Sequence, residues 1–90
     1  MRPFLITYDL KHGKPEDYEE LLEKIKSNPF VEVSESCYIV SWKGTTKELY
    51  ISLKPYLHKK DHLLVFAIFS KFSGRHAESI LRSLRGLLRR

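Results

Sequence analysis

Apolar and polar positions along the chain change period several times, and each change marks an element. From Phe4 to Asp9 the two kinds alternate: Phe4, Ile6 and Tyr8 fall on one face, and Leu5, Thr7 and Asp9 on the other. This predicts a strand whose second face turns polar only at its end. Lys11, His12, Gly13 and Lys14 read as the exit loop. Pro15 suits a first helical position, Glu16, Asp17, Glu19 and Glu20 fill the opening turns, and Lys24 and Lys26 come late, the order that a helix dipole favours. Tyr18, Leu21, Leu22 and Ile25 supply the apolar stripe, and Asn28 with Pro29 ends it.

The period returns to two between Val31 and Trp42. Val31 and Val33 alternate with acids, and Cys37, Tyr38, Ile39, Val40 and Trp42 form a richer strand, with a tight hairpin expected near Ser34 to Ser36. Gly44 closes this strand, and Thr45 followed three residues later by Glu48 reads as a capping box. Leu49, Tyr50, Leu53, Tyr56 and Leu57 carry helical spacing, and Pro55 is expected to kink or end that helix around Leu53. After the polar link His58 to Asp61 comes LLVFAIF, residues 63–69, apolar on both faces and so predicted to be a strand covered on both sides. A helix is predicted after Ser73 and Gly74, with Ile80, Leu81, Leu84, Leu87 and Leu88 on one face and Arg82, Arg85 and Arg89 on the other.

The order βαββαβ predicts a ferredoxin-like α+β domain over residues 1–72, with a four-stranded antiparallel sheet and both crossover helices on one face. Residues 73–90 add a basic amphipathic helix, either part of the same domain or a dimer arm. The second sheet face, with Leu5, Cys37 or Tyr38, Ile39 or Val40 and half of LLVFAIF, needs cover, from a second copy packed sheet to sheet or from the C-terminal helix.

Composition changes this picture in three ways. Ninety residues are enough for one core only. Cys37 is the single cysteine, which leaves no internal disulfide and makes the reducing cytoplasm the expected compartment; the opening MRPFLITYDL is too short and too soon acidic for a signal peptide. No apolar run reaches the ~20 residues of a membrane span. Charge is the third: residues 1–70 balance ten Lys and Arg with ten Asp and Glu, whereas residues 71–90 hold six cations against Glu78 alone, so the whole net charge of +5 falls there. Five of the six are arginine, the side chain that forks onto phosphate. Arg75, Arg82, Arg85, Arg89 and Arg90, with Lys11 and Lys14 of the exit loop, are the candidate contacts to a nucleic-acid backbone. A membrane surface is the weaker expectation, because Trp and Phe are missing from the helix's apolar face.

Asp9 has the parity of Leu5 and Thr7 and points to the face that needs cover. There it either caps the loop by bonding the backbone near Lys11 or, in a dimer, meets its twin. Two close carboxylates share a proton or a hard divalent cation such as Mg²⁺, and that metal can orient water toward a phosphodiester.

The first strand ending in YDL, the Tyr18, Leu21 and Leu22 spacing, the hairpin ESCYIVSW, the second helix and the closing strand after Asp61 together resemble the Cas2 family of CRISPR-associated proteins. The likeness is closer to the small Cas2-like proteins of the SinR family and more distant to VapD-type toxins, and it covers residues 3 to about 70. It implies a ferredoxin-like homodimer in the cytoplasm, at work in a larger protein complex, in which Asp9 is the metal ligand of a Mg²⁺-dependent endonuclease and Ser36 stands near it. The sequence departs from the family at Glu35, where a Gln is usual, in the acids that open the first helix, and in the C-terminal helix, where the family has a strand. The alternative is a non-catalytic nucleic-acid-binding or protein-assembly module that uses the arginine-rich helix. The four histidines show no tight ligand spacing, so zinc is not expected.

Overall fold

The computed structural model describes residues 1–11 and 14–89 and runs β1 (Arg2–Asp9), α1 (Glu19–Lys26), β2 (Phe30–Ser34), β3 (Cys37–Trp42), α2 (Thr46–Leu53), β4 (His62–Ala67) and α3 (Glu78–Leu88). His12, Gly13 and Arg90 lie outside the described residues, and so does the reading of Arg90 as a phosphate contact. The acids that follow Pro15 first form a 3₁₀ turn, Pro15–Tyr18, which leads into α1. Pro55 acts as its chemistry requires: α2 stops at Leu53 and the chain tightens into a second 3₁₀ turn, Lys54–Tyr56. The capping box is made in both directions, the Glu48 N–H donating to Thr45 Oγ1 at 3.1 Å and the Thr45 N–H to Glu48 Oε1 at 3.0 Å.

The sheet order is β2-β3-β1-β4 with every neighbouring pair antiparallel, the ferredoxin-like arrangement. Bond directions set the register. The Tyr8 N–H donates to the Ser36 carbonyl at 3.0 Å, the Ser41 N–H to that of Pro29 at 2.9 Å, and the Ile68 N–H to that of Pro3 at 3.2 Å. Each therefore marks the bonded rows of its ladder.

Two cores lie on the two faces. Under α1 and α2, Phe4, Ile6, Leu21, Ile25, Val40, Leu49 and Leu53 are fully buried. On the other face, Leu84, Leu87 and Leu88 of α3 bury themselves against Val31 and Ile39, so the C-terminal helix covers the sheet within one chain. That cover is partial. Helix α3 crosses β2 and β3, and β4 keeps its second face in water: Leu64 is 60% and Phe66 50% exposed, and Phe69 just beyond is 89% exposed. The expectation that LLVFAIF is covered on both sides is corrected here. The connection that turns the chain back runs through residues 68–77, and its return carries α3 past β4 to the opposite side of the sheet.

Gly44 is required where it stands. Its φ of +153° is rarely open to L side chains, and a Cβ there would come within 2.8 Å of Trp42 Nε1.

Candidate nucleic-acid interface

Helix α3 starts where His76 ties the chain to the edge of β2. The Ala77 N–H donates to His76 Nδ1 at 2.8 Å, so the proton sits on Nε2 and is donated to the Val33 carbonyl at 2.7 Å. That carbonyl is available because a bulge between Glu32 and Ser34 interrupts the β2–β3 ladder. Once anchored, the amphipathic pattern decides the rest: the leucines face the sheet, and Arg82, Arg85 and Arg89 are exposed on the outer side. From Arg82 to Arg89 the helix rises about 10 Å, the axial length over which one nucleic-acid strand carries about three phosphates. Arg75 is exposed in the segment before the helix. Glu78 meets Arg85 at 3.6 Å with both side chains largely in water, a pairing worth at most about 1 kcal/mol and easily exchanged for phosphate.

Lys11 and Lys14 do not belong to this row. They lie in the connection from β1 to the first 3₁₀ turn, both exposed, and Lys11 Nζ is held by Asp9 Oδ2 at 2.7 Å. Asp9 itself is exposed at the end of β1, opposite His62 of β4. Ser36 is exposed in the β2–β3 turn, where its carbonyl accepts the Tyr8 N–H, one residue before Asp9. The register thus gathers Asp9, Ser36 and His62 at one end of the sheet. Among the described residues no group of three or more His, Cys, Asp or Glu side chains is placed to hold a metal ion. Asp9 is a single carboxylate already paired with a lysine, so the described residues of one chain do not fit a Mg²⁺ site.

Sequence reasoning missed Asp61. Its carboxylate accepts the Lys11 N–H at 2.8 Å, the Tyr18 hydroxyl at 2.9 Å and the His58 N–H at 2.8 Å, joining the β1 exit, the first 3₁₀ turn and the α2–β4 link. Partial burial alone would raise its pKa, but these hydrogen bonds, led by the His58 and Lys11 amides, outweigh it and hold the group below the ordinary carboxylate value. The only signal in the sequence was an acid closing a polar link. Cys37 lies on the second face beside Thr7, and burial pushes its thiol above the ordinary value, which leaves less of the reactive thiolate.

No family model matches the chain, and no curated protein matches it. Among solved structures, a hypothetical protein from Thermus thermophilus is similar, with a TM-score of 0.67 and 15% identity over 84% of this chain and 92% of that one. At that identity the likeness speaks for the fold. Among the described residues no helix is long and apolar enough to cross a membrane.

Proposed function

We propose that the chain is a Cas2-like, homodimeric nucleic-acid-binding module that grips the phosphate backbone along the outer face of α3. One observation carries this reading: the leucines of α3 are consumed in docking while Arg82, Arg85 and Arg89 stand free of the sheet, in the stretch that holds the whole net positive charge. Phosphate contacts of this kind give affinity without sequence preference. The test is fluorescence anisotropy of labelled RNA and DNA with the wild type and with the combined Arg82→Gln, Arg85→Gln and Arg89→Gln variant. All three positions are exposed, so the variant is expected to fold and to bind about 100-fold more weakly, with about 1 kcal/mol lost per phosphate contact. Unchanged affinity in a folded variant would remove the reading.

A second reading, Mg²⁺-dependent phosphodiester cleavage, draws support from the resemblance to the Cas2 family and from the meeting of Asp9, Ser36 and His62 at one sheet end. It needs a second Asp9 from another copy to complete the metal site. Incubation of the protein with RNA and DNA, with Mg²⁺ or with EDTA and beside Asp9→Asn, decides it. Cleavage abolished by both EDTA and the substitution supports the reading, and equal cleavage by the variant rejects it.

A further inference from the structure

We infer that two copies of this chain join through the open edge of β4, strand to strand. The inference deepens the homodimer proposed above by naming its surface, and it is independent of what α3 binds. Bonded and non-bonded pairs alternate along an antiparallel ladder. The Ile68 N–H bonds the Pro3 carbonyl, and Phe66, Leu64 and His62 stand opposite Leu5, Thr7 and Asp9. These residues therefore turn their backbone groups toward β1, while Leu63, Val65 and Ala67 turn theirs out of the sheet. Among the described residues no backbone hydrogen bond from a turn, loop or helix reaches those three.

A free edge is normally guarded by charge, Pro or a bulge. The other edge of this sheet has such guards: β2 carries Glu32 and the bulge beside it. Strand β4 reads HLLVFA and has neither acid, lysine, Pro nor bulge. An uncharged strand can pair with its own copy without like charges meeting. About a two-fold axis at Val65, one antiparallel register engages all the outward groups at once, with Val65 opposite Val65 and Leu63 opposite Ala67. Leu64 then faces Phe66 of the other copy across a non-bonded pair, where side chains lie closest.

This register sets Leu64 and Phe66, which the monomer leaves in water, against the other copy, with Phe69 just beyond the strand end. Leu64, Phe66 and Phe69 are 60%, 50% and 89% exposed. Together they offer roughly 400 Å² per chain, so two copies approach the ~1,000 Å² of a specific interface before backbone and groove walls are counted. On the helix side, a groove of about 370 Å³ runs between α2 and the edge, lined by Thr46, Lys47, Tyr50, Leu63, Leu64 and Val65. It leaves room for the incoming Val65 side chain. Asp9 lies opposite His62, at the start of β4, so the two-fold sends the two Asp9 residues to opposite ends of the joined strands. This dimer and a shared metal centre exclude one another.

The test reads mass and amide exchange together on the full chain. Sedimentation velocity across a wide concentration range is expected to show a monomer–dimer equilibrium, and the amides of Leu63, Val65 and Ala67 are expected to exchange at least about tenfold more slowly at dimeric than at monomeric concentration. Ala67→Pro deletes one outward N–H and leaves the β1 bonds of the monomer in place; edge positions tolerate Pro, and the dimer dissociation constant should rise about tenfold or more. Phe66→Ser, which removes the cross-strand contact and no backbone group, should weaken the dimer by a similar factor. A chain that stays monomeric up to about 1 mM overturns the inference, and so does a dimer in which those three amides exchange as fast as in the monomer. The α3 arginine variant should dimerise like the wild type, so a failure of nucleic-acid binding and a failure of edge pairing are separately visible.

Discussion

Replacing Leu87 with Ala tests whether α3 is held by its leucines. Leu87 is 7% exposed and packs in the cluster of Leu84, Leu88, Val31 and Ile39 on the second face of the sheet. The substitution removes three carbons; at about 0.8 kcal/mol per buried group the transfer loss is roughly 2.4 kcal/mol. A cavity contribution is added, small because a helix at the rim of the fold can settle into the space, and the expected cost is about 3 kcal/mol. An eleven-residue helix is marginal in water, so the order of α3 depends on this docking. Urea denaturation followed by circular dichroism should show the midpoint falling with little change in slope. Arg82→Ala, on the exposed side of the same helix, serves as control and should stay within about 0.5 kcal/mol of the wild type. A cost for Leu87→Ala below about 0.5 kcal/mol would refute the docking of α3 on β2 and β3.

Three further outcomes follow from single residues. Gly86→Ala should stabilise the protein by about 0.5–1 kcal/mol in the same urea assay, because Gly86 sits inside α3 and an added Cβ meets nothing within 4 Å. Gly44→Ala should cost about 2 kcal/mol or more in thermal melts, since both its backbone angle and the Trp42 ring oppose a side chain. Asp61→Asn should lower stability at neutral pH and flatten the acid limb of the stability curve. The folded-state pKa of Asp61 lies below its ordinary value of 3.8, so the stabilisation by its ionised form is present above that value and is lost as pH falls through the folded-state pKa. Urea midpoints at pH 7 and pH 3 that differ as much in the variant as in the wild type would count against this role.

Much of the fold was legible because its elements are amphipathic with different periods. The alternation from Phe4 to Asp9, the Thr45–Glu48 box and the break at Pro55 each gave an element or a boundary that the structure contains. The last helix was legible as an apolar face opposite an arginine face, but its partner was not. Periodicity says that Leu84, Leu87 and Leu88 must be covered, and it does not say which strands cover them. The same limit explains β4: a strand apolar on both faces reads as buried on both, whether its second face meets a helix or waits for another chain. Asp61 was hidden for a different reason, since its three donors come from segments far apart in sequence. Of the site residues, Arg82, Arg85 and Arg89 share one helix face and were placed by spacing alone, whereas the pairing of Asp9 with Lys11 depends on how the loop after β1 turns.

The salt dependence of nucleic-acid binding tests the account most directly. With Arg75, Arg82, Arg85 and Arg89 on phosphates, the logarithm of the association constant for duplex DNA should fall against the logarithm of salt concentration with a slope near −3 to −4. In the Arg82→Gln, Arg85→Gln and Arg89→Gln variant the slope should shrink to about −1. A variant that binds with the wild-type slope would contradict the assignment of α3 as the phosphate-gripping element.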